Sequence, residues 1–177
     1  MDFCHIFHEE MHGLYSLALI LTKDHSLAEE CFVAGFEDCL NAHSIFKEWA
    51  LSWSKRVVIK NAIRRISPQP EQVGEASPTL HGLDLKTRSS LADALLRLKQ
   101  FQRFVIVMSV LERYSDKECA LLLNCGTQDV VIARNEGLRQ LARSAGPRLT
   151  AAVFRNEFEL AAAVPLPSVS EAVSTFR

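Results

Sequence analysis

The chain is expected to be all-α: two small helical domains joined by a flexible linker, the C-terminal one a helix-turn-helix. Three observations predict this. Apolar residues recur three or four apart through residues 3–66 and again through 91–143, the period of a single helix face. Between them, residues 67–90 lose that period and collect Pro68, Pro70, Pro78, Gly74 and Gly82, the composition of a linker. No stretch reads as a strand or an internal repeat. The expected organisation is a domain over 1–66, a linker over 67–90, a second domain over 91–143 and a tail over 144–177.

Residues 3–21 place Phe3, Phe7, Met11, Leu14, Ala18 and Leu21 on one helical face. Residues 26–40 repeat the pattern with Leu27, Cys31, Phe32, Gly35, Phe36 and Cys39. Ser26-Leu27-Ala28-Glu29 reads as a capping box opening that helix, the serine accepting a backbone N–H and the glutamate reaching back. A third helix is expected over 46–66, with Phe46, Trp49, Trp53 and Val57 on its apolar side. Ser67-Pro68-Gln69-Pro70 ends it, because proline lacks an N–H donor and disfavours helix before it. In the second half Leu91, Leu95 and Leu98 share a face, and Phe101 to Arg113 forms a dense apolar helix. Ser115-Asp116-Lys117-Glu118 is a second capping box, opening a short helix that ends near Asn124-Cys125-Gly126. Thr127 can cap a final helix over 128–143. After Gly146-Pro147 the tail has alanine-rich stretches that could form one more helix before Pro165 and Pro167.

Hydrophobic residues make up 48% of the chain and charged residues 23%, which suits a soluble protein with a real core. Five scattered cysteines, with no CxxC, argue against a disulfide framework and for reduced, mostly buried thiols. No signal-peptide pattern opens the chain, and no apolar run approaches the roughly 20 residues of a membrane span. A cytoplasmic location is expected.

The net charge of −1 conceals a polar first half. Residues 1–45 hold one basic residue against eight acidic ones, and residues 46–65 hold six basic residues against one acidic. Arg56, Lys60 and Arg64 are four apart and share a helix face, a stripe able to neutralise phosphates. A solvated face with no partner is the alternative that charge alone allows. The two tryptophans on the same helix could stack on exposed bases.

Residues 115–143 carry the more specific signal. A short capped helix, a tight turn at Gly126 and a longer second helix make a helix-turn-helix, in which the N-terminal part of the second helix enters the major groove. Gln128, Val131, Ile132, Asn135 and Arg139 fall on one side, and Val130, Ala133, Gly137 and Leu141 can face the core. Glutamine and asparagine can pair with adenine, and an aliphatic side chain can meet the thymine methyl. Thr127 and Arg134 complete the expected DNA-contacting set. The alternative is a helical hairpin used only for packing, and Asp129 and Glu136 count toward it because they repel phosphate.

Enzyme chemistry finds no support. No nucleophile elbow, phosphate loop or dinucleotide glycine pattern occurs. Cys4, His5, His8 and His12 lie close together, but zinc needs three or four ligands in fixed geometry. No metal and no cofactor are expected.

Together the two halves resemble the small two-domain (extracytoplasmic-function) sigma factors of bacterial RNA polymerase. The N-terminal region is similar through Leu14-Tyr15-Ser16-Leu17-Ala18-Leu19, Ala28-Glu29-Glu30 leading to Phe36, and Phe46-Lys47-Glu48-Trp49 with the basic run to Arg64-Arg65. The C-terminal region is similar through Leu91 to Arg103, Tyr114-Ser115-Asp116-Lys117-Glu118-Cys119-Ala120, Leu123, Val130 and Leu141. The resemblance covers about 3–66 and 91–143, and it rests on joint order and spacing.

It implies that helix 26–40 docks on core RNA polymerase through Glu29, Glu30, Val33, Glu37 and Asp38. It implies that segment 43–65 binds and helps melt the minus-ten element of promoter DNA, with Lys47, Arg56, Lys60, Asn61 and Arg64 near the strand. Helix 128–143 would read the minus-thirty-five element as duplex. An anti-sigma factor is a further partner the resemblance admits. Two departures stand out. A Gln-Glu or Gln-Asp pair usual in the family is replaced by Val33-Ala34, and the recognition helix holds Val131, Ala133, Glu136 and Leu138 where the family has more basic residues. A sigma-derived regulator that binds DNA or a protein without recruiting polymerase therefore remains open, as does a helical interaction module.

Overall fold

The computed structural model describes residues 3–42, 49–70 and 91–155, the last eleven of these as backbone only. Every regular element among them is helical, as the all-α expectation requires. The helices are α1 (Phe3–Glu9), α2 (Met11–Thr22), α3 (His25–Leu40), α4 (Ala50–Ile66), α5 (Leu91–Leu96), α6 (Gln100–Ile106), α7 (Asp116–Leu123) and α8 (Thr127–Arg155). Most of the expected linker, residues 71–90, lies outside the described residues, as do Phe46, Lys47 and the tail beyond 155. None of the described helices is long and apolar enough to cross a membrane.

The face expected over 3–21 is two helices. The backbone leaves helical geometry at Glu10, with φ −98° and ψ 14°. This lets Phe7 of α1 lie between Phe32 and Phe36 of α3, with ring centroids 5.3 and 5.1 Å away. Such tilted and edge-on ring contacts are favourable beyond the area they bury. Leu14, Leu17, Ile20 and Leu21 of α2 are fully buried, and α2, α3 and α4 pack on one another. Gly35 is where α3 meets α4: a Cβ there would stand 2.9 Å from Val58 Cγ2, so only glycine permits that approach.

Two starts differ from expectation. The cap of α3 is Asp24, whose Oδ1 accepts the Leu27 N–H at 2.9 Å. Ser26 falls inside the first turn because an aspartate one residue before the helix already supplies the acceptor. Trp49 and Trp53 are not on the buried side of α4. That side is Ala50, Ser54, Val57, Val58, Ile59, Asn61 and Ala62, leaving Trp49 65% and Trp53 37% exposed. The close approach of α3 to α4, at Gly35, is made to Val58.

In the second half, α6 continues into a π-helical turn, Val107–Leu111. Arg113, with φ 58°, then reverses the chain. Phe104, Ile106 and Met108 are fully buried. They pack against α8, where Val130, Ala133, Gly137 and Leu141 face inward as their spacing predicts. A Cβ on Gly137 would stand 2.7 Å from Ile106 Cγ1. Helix α8 does not stop at Gly146-Pro147 but runs on to Arg155.

The two halves touch. Helix α2 meets α5 and α6, and α4 meets α7. Arg103, only 3% exposed, donates from Nη1 to the Leu98 carbonyl at 3.0 Å and from Nη2 to the Leu21 carbonyl at 3.1 Å. Burial lowers its pKa to about 10.

Cys31, Cys39 and Cys119 are buried, Cys125 is half-buried and Cys4 is exposed. Burial pushes the Cys119 thiol from 9.0 up to about 12, with the nearby Asp116 and Glu118 carboxylates adding to it. Between pH 9 and 12 the unfolded chain loses this proton and the folded chain keeps it, so stability falls as pH rises through that window. Raising the pH from 8 to 10 is expected to remove about 1.4 kcal/mol through Cys119 alone. Urea unfolding of the parent and of Cys119→Ala at both pH values reads it. An equal pH dependence in the two proteins would remove the assignment to Cys119.

Candidate nucleic-acid and partner interface

Three surfaces carry the expected site residues. The first is the outer face of α3. Glu29, Glu30, Glu37 and Asp38 are exposed there, and Val33 is 52% exposed in their midst, with Leu40 at the helix end 53% exposed. The acids are not uniformly free for a partner. Glu30 pairs with Arg65 of α4 at 3.1 Å, and Asp38 pairs with Arg64 at 3.5 Å. Asp38 also accepts the Asn61 amide at 3.0 Å. Opposite charges on facing helices thus meet at two places along the α3–α4 seam.

The second surface is α4. Arg56 and Lys60 are half-buried and Arg64 is exposed. Asn61 lies beneath the surface, 3% exposed, its amide donating to Asp38 and to the Val57 carbonyl. Its carboxamide stabilises the helix pair and offers nothing to a strand of DNA in this conformation. Trp49 and Trp53, one turn apart at the start of α4, are the large apolar groups this helix exposes. Their exposure is an outcome that periodicity alone missed, since both fit an amphipathic stripe.

The third surface is built by α7, the turn and α8. The second capping box forms as expected: Ser115 Oγ accepts the Glu118 N–H at 3.3 Å, and Glu118 Oε2 accepts the Ser115 N–H at 2.9 Å. Asn124, at φ 51°, closes α7 by donating its N–H to the Ala120 carbonyl. At the start of α8 it is Asp129, not Thr127, that completes the turn, accepting the Gly126 N–H at 2.9 Å. A carboxylate at the third helical position reaching back to the preceding residue is the return half of a capping box, so Asp129 has a local role before any question of phosphate arises.

Arg134 grips Asp116 with both guanidinium nitrogens, Nη1 to Oδ1 and Nη2 to Oδ2. This fork fixes α8 against the first turn of α7 and occupies a residue expected to reach DNA. Gln102 Nε2 donates to Glu136 at 3.0 Å, giving that acid an intramolecular partner as well. Outward from α8 stand Thr127, Gln128, Asn135 and Arg139, all exposed, with Ile132 47% exposed and Val131 half-buried. Two amides, aliphatic groups and one guanidinium on a helix face can read base edges and methyl groups in a groove.

Among the described residues no group of three or more His, Cys, Asp or Glu side chains is placed to hold a metal ion; His5 instead pairs with Glu9 at 3.1 Å. The feature most hidden from sequence reasoning is buried Arg103. Its signal was a lone arginine inside the apolar run Phe101 to Met108, where a charge needs buried partners. No protein-family model, curated protein or solved structure matches this chain.

Proposed function

We propose that this chain is a sigma-type transcription initiation factor: a binding protein, not an enzyme, that brings core RNA polymerase to promoter DNA in the cytoplasm. In this reading α8 reads duplex DNA, α4 with Trp49 and Trp53 takes single-stranded DNA, and the outer face of α3 meets the polymerase. The observation that carries it is the outward row on α8. Gln128, Ile132, Asn135 and Arg139 are left facing solvent while the helix behind them is fixed by the Arg134–Asp116 fork and by buried Val130, Ala133 and Leu141. A packing-only hairpin has no need of a rigid helix with that outward composition, whereas groove reading needs both the stiffness and the amides.

A second reading is favoured by a specific observation. Val33 sits exposed within the acidic face, and two of the acids around it are already paired with Arg64 and Arg65. A regulator that keeps the DNA-reading helix but does not recruit polymerase fits this weakened charge. Co-purification with bacterial core RNA polymerase, followed by run-off transcription on genomic promoters, separates the two. Stable binding with new start sites is the expected result. A well-folded protein that binds promoter duplex but no polymerase sinks the first reading and leaves the second.

A further inference from the structure

Two acids stand in the first ten residues of α8, and the fold uses them differently. Asp129 is spent on the turn, where it accepts the Gly126 N–H at 2.9 Å. Glu136 lies in the interior of the helix and is exposed. It falls four residues after Ile132 and three before Arg139, so it adjoins both on the helix surface. A carboxylate repels the phosphates that flank a groove, and an outward row that met only phosphate would bind better without it.

A buried side chain holds this surface acid. Gln102 of α6 is 8% exposed, and its Nε2 donates to Glu136 Oε2 at 3.0 Å. Gly137 permits the reach. A Cβ there would stand 2.7 Å from Ile106 Cγ1 and 3.8 Å from Gln102 Cβ, so α6 lies close against α8 beside Glu136. Gln102 Oε1 finds no donor among the described residues. A buried amide with one atom unsatisfied costs stability, and methionine would fill the same place without that cost. Among the described residues, the return for it is the bond to Glu136. That bond engages Oε2, and Oε1 can accept from outside the chain.

An ionised carboxylate accepts and never donates. In the major groove guanine and thymine present acceptors, adenine sets its N6 amino group beside the N7 acceptor, and cytosine presents its N4 amino group. Cytosine is therefore the base that a fixed carboxylate selects. We propose that Glu136 selects a cytosine in the duplex that α8 reads, and that Gln102 is the positioning residue that orients its carboxylate. The proposal rests on the reading of α8 as a groove-reading helix and adds a base to it: adenines for Gln128 and Asn135, a cytosine for Glu136. A guanine or thymine at that place sets its own acceptor against the carboxylate, so wrong sequences are rejected by repulsion.

The test uses the full chain and a pool of random DNA duplexes, with the sequences each protein retains read by sequencing. The parent is expected to retain a site with a cytosine that Glu136→Gln exchanges for adenine, since a glutamine amide pairs with adenine N6 and N7. Fluorescence anisotropy with the cytosine and adenine duplexes is expected to show about a tenfold swing in relative affinity between the two proteins. Gln102→Met fills the same space and is expected to keep the rest of the site while losing about threefold of the cytosine preference. Circular dichroism checks that each variant folds. The parent alone supplies a second measurement, in which each cytosine of the retained site is replaced in turn by N4-methylcytosine. That base keeps its pairing proton and loses the groove proton, and at one position it is expected to weaken binding about tenfold. A parent that retains no common sequence overturns the reading of α8 and this assignment with it. A common sequence that Glu136→Gln retains unchanged, or a site that tolerates N4-methylcytosine at every cytosine, overturns the assignment and leaves the reading of α8 standing. A Gln102→Met protein with the parent's full cytosine preference overturns the positioning role of Gln102.

Discussion

Arg103→Ala is expected to lower the unfolding free energy by about 3 kcal/mol, a large share of what a chain of this size has to lose. The side chain is 3% exposed and its guanidinium supplies donors to the Leu21 and Leu98 carbonyls. Hydrogen bonds from a charged donor each contribute about 1.5–3 kcal/mol, and truncation also leaves a cavity between α2 and α6. Relief of the buried charge offsets part of the loss. Arg103→Met separates these contributions, because methionine fills much of the space without charge or donors. It is expected to recover about half of the deficit. Urea denaturation at pH 7 measures both. An alanine variant within 1 kcal/mol of the parent would mean that Arg103 does not join the halves in solution.

The second large effect belongs to function. Trp49→Ala combined with Trp53→Ala is expected to weaken single-stranded DNA binding about a hundredfold, since stacking of a base on an aromatic side chain contributes about 1–3 kcal/mol. Folding stability should fall by about 1–2 kcal/mol, because Trp49 is 65% exposed but Trp53 only 37%, and binding is compared under conditions where both proteins are folded. These are the two tryptophans of the whole chain. Selectively excited tryptophan fluorescence of the parent therefore reports on this surface alone, and stacking should quench it as oligonucleotide is added. A parent whose emission ignores the oligonucleotide, or a double variant that binds equally well, removes the start of α4 from the DNA-binding surface.

The helices were legible because they are local. Apolar spacing located α3, α4 and α6 and the start of α8 to within a few residues, though α8 runs twelve residues past its expected end, and the Ser115–Glu118 box formed at its predicted place, since a cap depends only on residues three apart. The inward set on α8, Val130, Ala133, Gly137 and Leu141, was legible for the same reason: one helix face is fixed by a period of 3.6. The lack of any strand pattern likewise agrees with the described residues, whose regular elements are all helical.

What tertiary structure decided was which of several compatible faces each helix buries and which charges meet. Trp49 and Trp53 fit an apolar stripe, but the face of α4 that packs on α3 and α2 is Ala50, Ser54, Val57, Val58 and Ile59, and the indoles stay outward. The resemblance implied that Asn61 lies near DNA beside the basic stripe, yet Asp38 on the neighbouring helix draws it inward. Arg134 lies on the second helix with the other expected DNA contacts and is held by Asp116 from the first. The contrast between an acidic start and a basic α4 was plain from the sequence. That much of it is spent within the fold, through Glu30–Arg65, Asp38–Arg64 and Lys55–Glu112, was not. An ion pair is set by distance in space, and residues tens of positions apart have none until the chain has folded.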